Sequence, residues 1–217
     1  IKKAKDQKKD QSYFLYMLNQ KKLKRTLFPL GNYLKSDIRK IAEKFNLINK
    51  DKPESQDICF VTSKTYKNFI EKNMNNKNIQ QGNIVNLNGK ILGTHTGLYN
   101  FTIGQRKGLN ISYEKPLYVI KLNAAKNEVI VGTEDNLAST IFSITNYNIV
   151  NDHQFKLNKY YSIKIRYQMI PFKGKIINKT SKTLSIQSLI PIKFISPGQS
   201  CVVYEHDTII GGGIISK

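Results

Sequence analysis

The stretch "GNIVNLNGKILGTH" (Gly82–His95) decides how this chain reads. Asn88-Gly89 stands between two apolar runs, the strongest short hairpin signal, so the stretch predicts a β-hairpin. Downstream the texture stays that of strands. "PLYVIKLNAAKNEVIVGT" (Pro116–Thr133) is a second hairpin candidate, with Tyr118, Ile120 and Leu122 alternating on one side and Val129 and Val131 on the partner strand. Beyond residue 140, "YYSIKIRYQ", "FKGKIIN", "TLSIQSL", "CVVYEHD" and "TIIGGGIIS" recur with turns between them, which suggests a small barrel or sandwich. Upstream the pattern is helical. "DQSYFLYMLNQ" places Tyr13, Phe14, Met17 and Leu18 at helical spacing. "KSDIRKIAEKFNL" does the same with Leu34, Ile38, Ile41, Ala42 and Phe45, and Ser36 or Asp37 would open that helix by satisfying free N–H groups. "LFPLG" between them is extended, because the residue before Pro29 is biased away from helix. The polar loop "EKNMNNKNIQQG" is the best candidate boundary between the two textures.

Composition narrows the function classes. In 217 residues, 40% are hydrophobic, enough for a packed core and too many for a disordered chain. No run approaches the roughly 18 apolar residues of a membrane span, and no signal-peptide pattern follows the charged N-terminus, so a soluble, cytoplasmic protein is expected. The chain starts with Ile rather than Met, which reads as a fragment or a processed form. Cys59 and Cys201, with His95, His153 and His206 scattered, offer neither a disulfide framework nor a metal-ligand spacing. The net charge of +20 fits a polyanion partner through counterion release. The same excess also fits a base-composition bias, since Lys, Asn and Ile dominate together.

Individual motifs carry modest signals. In "PESQDICFV" (Pro53–Val61), Cys59 sits among Ile58, Phe60 and Val61, which suits a buried small hydrophobe. The polar shoulder Glu54–Asp57 places it at the edge of an element, where a reactive thiol would be reached; reactivity would further need a helix N-terminus or cations nearby. "KKDQSYF" (Lys8–Phe14) combines cation, carboxylate and amide, a set suited to sugar, phosphate and base edges, and equally to a helix cap. "FTIGQRKGL" (Phe101–Leu109) puts two glycines around Arg106 and Lys107; a basic turn is its plain reading, and a phosphate wrap its functional one. "KIRYQ" (Lys164–Gln168) reads as a strand with alternating basic and apolar-aromatic residues. "SPGQSCVVYE" (Ser196–Glu205) is a turn entering a strand. Gly211–Gly213 precede no helix, so a bulge or a close backbone approach explains them better than a phosphate loop.

Order and spacing say more than any one motif. "KDQSYFL", "FPLG" with "KSDIRKIAEKFNL", "ESQDICF", "GTHTGLYNFTIGQRKGL", "KIRY", "PGQ" and "GGGII" together resemble the C-terminal part of the tRNA-specific 2-thiouridylases, the bacterial-type MnmA or TrmU family, over nearly the whole chain. The resemblance implies an enzyme that replaces O2 of uridine 34 in tRNA with sulfur. ATP adenylates the oxygen, and a cysteine persulfide, loaded by a sulfur donor or relay protein, delivers the sulfur. A second cysteine releases it, and the two cysteines can end as a disulfide. By the same resemblance Cys59 is the persulfide carrier, while Lys9, Asp10, Gln11, Arg166, Tyr167 and Gln199 contact tRNA. Arg166 and Tyr167, adjacent on a strand, would face opposite sides, so a bulge or strand end is expected there.

The sequence also departs from the family pattern. The pyrophosphate loop Ser-Gly-Gly-x-Asp-Ser and the second catalytic cysteine are not in these 217 residues. ATP would thus be bound by an N-terminal domain absent from this chain, and no metal ligand set is found. Cys201, on a predicted strand after "PGQS", reads as core. The expected fold is α+β: residues 1–78 as the remnant of an α/β nucleotide domain with the persulfide cysteine, 79–138 as a small β-rich central domain, and 139–217 as a C-terminal, tRNA-binding β-barrel. Two other function classes stay open, a non-catalytic RNA-binding module left by truncation and a structural β protein whose charge reflects base composition. A steep salt dependence of RNA binding separates the latter, and persulfide formation on Cys59 the former.

Overall fold

The structure, a computed structural model, describes residues 1–53, 80–150 and 155–216. Cys59 and its shoulder therefore lie outside the described residues, as does His153. The chain divides into two compact units, residues 1–53 with 139–217, and residues 54–138. Few helices and many strands make it an α+β protein.

In the smaller unit, β1 (Gly82–Asn86), β2 (Ile91–His95), β3 (Tyr118–Asn123) and β4 (Glu128–Gly132) form one sheet in the order β2-β1-β4-β3. The Asn88-Gly89 turn joins β1 to β2, with Gly89 at φ 81°. The Asn86 carboxamide oxygen holds the turn by accepting from the N–H groups of Asn88 and Lys90, at 3.0 and 2.9 Å. The second hairpin, β3–β4, is antiparallel, and β1 runs parallel to β4. Val129 and Val131 are fully buried, as their spacing predicts. On β3 the phase is different from the predicted one. Leu117 and Val119 are buried while Tyr118 and Ile120 are only half-buried, and a bulge between Val119 and Lys121 then lets Leu122 pack on the same core.

In the larger unit six strands close into a barrel, in the order β10-β5-β8-β7-β6-β9. They are β5 (Ser139–Ile149), β6 (Tyr160–Lys164), β7 (Phe172–Lys179), β8 (Thr183–Ile192), β9 (Ser200–Glu205) and β10 (Thr208–Ser216). All neighbours are antiparallel, and closure removes every unpaired edge. The barrel core gathers Ile144, Ile163, Ile176, Leu184, Ile186, Cys201, Val203 and Ile215. Strand β9 is buried on both faces, which accounts for the unbroken run "CVVY". Cys201 and Val203 belong to the barrel core, while Val202 and Tyr204 join a second cluster with Tyr13, Tyr16, Val150 and Ile209.

That second cluster is where residues 1–23 dock. Ile1 and Lys3 pair with the tip of the β9–β10 hairpin through Ile209 N–H to Ile1 O at 3.0 Å and Lys3 N–H to Asp207 O at 2.8 Å. Residues 10–20 do not form the single helix that their spacing predicts. A short 3-10 turn, Ser12–Leu15, is followed by one separate helical turn, α1 (Gln20–Leu23). Tyr13 and Tyr16, three apart, are buried against the barrel wall, and Phe14 and Met17 stay 58% and 61% exposed. The Asn148 carboxamide holds this shape by donating to the carbonyls of Tyr16 and Leu18, at 2.8 and 3.2 Å. Helix α2 (Lys35–Lys44) starts one residue before the predicted cap, with Leu34 at the N-cap and the Asp37 carboxylate accepting the Leu34 N–H at 3.3 Å. Ile41 on it and Phe45 at its C-cap are exposed.

The glycines of β10 are explained by close approach. A Cβ on Gly212 would lie 2.5 Å from the Cys201 carbonyl oxygen and 2.7 Å from the Tyr16 ring, and one on Gly211 would lie 2.2 Å from the Asn148 carbonyl oxygen. Strand β10 also carries two bulges, between Ile209 and Gly211 and between Gly212 and Ile214. The bare backbone lets Tyr16 rest on the barrel wall.

Candidate RNA interface

Three segments meet on the face of the barrel that carries Tyr13 and Tyr16. The first is the loop before the 3-10 turn. Asp10 is buried, and its carboxylate accepts from Ala4 N–H at 3.0 Å, Ser12 N–H at 3.1 Å and the Ser12 hydroxyl at 2.8 Å. The Ser12 hydroxyl lies 3.3 Å from that of Tyr204. Burial pushes the Tyr204 phenol up to about 12; its hydrogen bond with Ser12 works against that rise and the Asp10 charge adds to it. The side chains flanking Asp10, Lys9 and Gln11, are exposed. An inward carboxylate thus fixes a loop that presents a cation and an amide outward.

The second segment carries Arg166 and Tyr167. Strand β6 ends at Lys164, so the pair lies in a turn past the strand end, closed by Met169 N–H to Arg166 O at 3.2 Å. A strand through Gln168 is not formed. Freed from strand alternation, both side chains serve the same patch. Tyr167 packs on Phe14 with ring centroids 4.8 Å apart and on Tyr13 at 6.2 Å, and the Lys164 ammonium lies 5.7 Å from the Tyr167 ring centre. Burial holds the Lys164 ammonium below its usual range, with Lys3 adding to the shift and Asp10 opposing it.

The third segment is the Pro197-Gly198-Gln199 turn entering β9. Gly198 sits at φ 86°, and the turn is pinned to β10 by Gly198 N–H to Ile215 O and Ile215 N–H to Gln199 O, at 2.9 and 2.8 Å. The Gln199 side chain is exposed. Arg166 ties the second segment to the third: its Nη2 donates to Phe194 O at 3.2 Å and to the Ser196 hydroxyl at 3.3 Å, and its guanidinium lies 5.7 Å from the Phe194 ring centre. Phe194 is held at φ 62°, an uncommon angle for a bulky residue. The first segment joins the third through the Tyr13 hydroxyl, which donates to Ser200 O at 2.7 Å, and the Tyr16 hydroxyl, 3.0 Å from that of Ser200.

The segments that carry Lys9, Asp10, Gln11, Arg166, Tyr167 and Gln199 are therefore joined, through Ser12 and Tyr204, Tyr13 and Ser200, Tyr13 and Tyr167, and Arg166 and Ser196, across as many as 192 positions of chain. Cys59 falls outside the described residues. Sequence reasoning missed Phe14 and Lys164 as members of the patch; the signal was the 3-10 spacing of Tyr13 and Tyr16, which turns Phe14 outward. Cys201 is fully buried, and burial drives its thiol far above the ordinary range. Among the described residues no group of His, Cys, Asp and Glu side chains could hold a metal ion, and no helix is long and apolar enough to cross a membrane.

Comparison with known proteins matches three profiles in succession along the chain. Residues 1–63 match the profile described as tRNA methyl transferase HUP domain, residues 67–133 the tRNA methyl transferase PRC-barrel domain, and residues 139–215 the aminomethyltransferase beta-barrel domain. Over 217 residues the chain is 41% identical to tRNA-specific 2-thiouridylase MnmA 1 of Caldanaerobacter subterraneus subsp. tengcongensis, covering all of this chain and 59% of that protein. Over 213 residues it is 44% identical to tRNA-specific 2-thiouridylase MnmA of Ehrlichia ruminantium (strain Gardel), covering 98% of this chain and 57% of that protein. The chain belongs to the tRNA-specific 2-thiouridylase family. Relative to those 2-thiouridylases it spans less than two thirds of their length. A third relative, from Wolbachia sp. subsp. Drosophila simulans (strain wRi), is 45% identical over 211 residues, covering 97% of this chain and 56% of its own.

Proposed function

We propose that this chain supplies the RNA-reading surface and the sulfur-carrying cysteine of a tRNA-uridine 2-sulfurtransferase acting at position 34. The observation that supports this most is the convergence of Lys9, Gln11, Arg166, Tyr167 and Gln199 on one aromatic and basic patch, with Phe14 beside Tyr167. Aromatic faces and a guanidinium suit unstacked bases of a single-stranded loop, and the Gln199 amide suits a base edge. Asp10 contributes by shaping the loop.

In the chemistry of this reading, ATP adenylates O2 of the uridine at a site outside the described residues. The terminal sulfur of a Cys59 persulfide, supplied by a sulfur donor or relay protein, attacks C2. The new C2–S bond replaces the C2–O bond and AMP departs with the oxygen. A second thiol, outside this chain, then takes the Cys59 sulfur into a disulfide and leaves the thio-base. Cys201 cannot serve as that thiol, being buried in the barrel core. The 217-residue chain alone is expected to bind tRNA without thiolating it or hydrolysing ATP, since it contains no glycine-rich pyrophosphate loop. ATP-dependent 2-thiouridine formation by the purified chain would refute that expectation.

The patch itself is tested by Arg166→Ala. Loss of the guanidinium removes a stacking and phosphate-gripping group and unties the Ser196 end of the turn, so tRNA affinity should fall by about 1–3 kcal/mol. An exposed lysine remote from the patch, such as Lys182, should cost less and mainly soften the salt slope. Filter binding at fixed salt with anticodon-stem substrates measures both. Wild-type binding by Arg166→Ala and Gln199→Ala, alongside a loss in the lysine variant, would mean that general charge and not the barrel does the reading.

A further inference from the structure

The loop Thr102–Leu109 of the smaller unit is built more firmly than a surface turn requires. Gly104 and Gly108 take φ 86° and 81°. Between them the Gln105 side chain staples the loop: its Oε1 accepts from Thr102 N–H and its Nε2 donates to Lys107 O, both at 2.9 Å. The backbone is anchored to β3 by Gly104 N–H to Val119 O at 2.7 Å and Val119 N–H to Gln105 O at 2.9 Å. Leu109 is buried in the core of the unit. Arg106 and Lys107 are left exposed at the tip. Arg106 also lines a shallow groove with Tyr113 and Lys115, and Lys90 borders the same side. Tyr113 is 50% exposed, and Glu114 is the one acidic residue among these lining groups.

We infer that this stapled loop and its groove form a second RNA grip, in which Arg106 and Lys107 hold successive phosphates of the tRNA backbone and Tyr113 offers a face to a base or ribose. The inference rests on the reading that the chain binds tRNA. It adds a contact in the unit that the barrel patch does not include. A loop whose backbone is already fixed loses little freedom on binding, so two cations carried on it act more strongly than two on a mobile loop.

The test compares the full chain with three variants, using a tRNA transcript and a salt titration. Arg106→Ala/Lys107→Ala should weaken binding about tenfold near physiological salt and flatten the log–log salt slope by about 2. Lys121→Ala/Lys126→Ala removes the same charge from exposed positions of the same unit and should change affinity less than about twofold. Gln105→Ala keeps the net charge and should still weaken binding severalfold. Equal effects of the two double variants, or none from the first, overturn the inference, as does wild-type affinity in a Gln105→Ala protein with an unchanged melting curve. Because Arg166→Ala is measured alongside, a loss there without one in the loop variants sinks this inference alone. Absence of RNA binding by the wild-type chain sinks the underlying reading as well.

Discussion

Cys59→Ser, made in an enzyme of the relatives' full length, is expected to abolish tRNA thiolation and leave tRNA binding largely unchanged. A hydroxyl cannot carry sulfane sulfur, so no partial activity survives through the same route. Cys201→Ala is the matched control. Its thiol is fully buried and pushed toward the protonated form, which makes it a poor nucleophile. Removing one sulfur atom from the barrel core should cost about 1 kcal/mol in urea unfolding and leave turnover intact. Mass spectrometry of the persulfide adduct, with thiouridine measured by nuclease digestion, reads both. Equal loss of thiolation in the two variants, with folding intact, would remove the sulfur-carrying role from Cys59.

The second large effect is expected at Asp10, and it is a loss of stability first. The family resemblance counts Asp10 among tRNA-contacting residues, whereas its carboxylate is already engaged by Ala4, Ser12 N–H and the Ser12 hydroxyl. Asp10→Ala orphans two backbone N–H groups in a buried setting and should cost about 3 kcal/mol of stability. Affinity for RNA would then fall because Tyr13 and Phe14 lose their seat. Asp10→Asn should cost less, since a carboxamide oxygen still accepts from both N–H groups. Chemical denaturation and tRNA binding on the same samples decide the order of cause. An Asp10→Ala protein that is as stable as wild type but fails to bind RNA would make the carboxylate a direct contact.

Where local rules governed, the sequence was legible. The hairpin at Asn88-Gly89, the β3–β4 hairpin and the recurring strands of the barrel follow from alternation and turn chemistry. The glycine triplet was legible as a bulge or a close backbone approach because no helix follows it, and β10 has both. Misreadings arose where a distant partner or a single extra residue decides the outcome. Tyr13 and Tyr16 are buried by strands β9 and β10, so the segment's own periodicity could not distinguish a 3-10 turn from a helix. One bulge on β3 switches the core-facing phase from Leu117 and Val119 to Leu122, so no single alternation holds along the strand. For the candidate site, the residue types could be named from motif order, but their meeting on one patch depends on the barrel's closure.

The long reach of that patch sets an order of events during synthesis. Tyr13 bonds to Ser200 across 187 positions, and Ser12 meets Tyr204 across 192. At roughly 5–20 residues per second, a ribosome delivers the second partner about 10–40 s after the first. Throughout that interval the two tyrosines have no wall to rest on, and the amide, guanidinium and rings that would meet RNA remain apart. The barrel patch is therefore incomplete until the last two strands emerge. A product cut short before Ser200 carries the same early residues with their apolar surface uncovered, and limited proteolysis of it should cut within residues 1–23 sooner than in the whole chain.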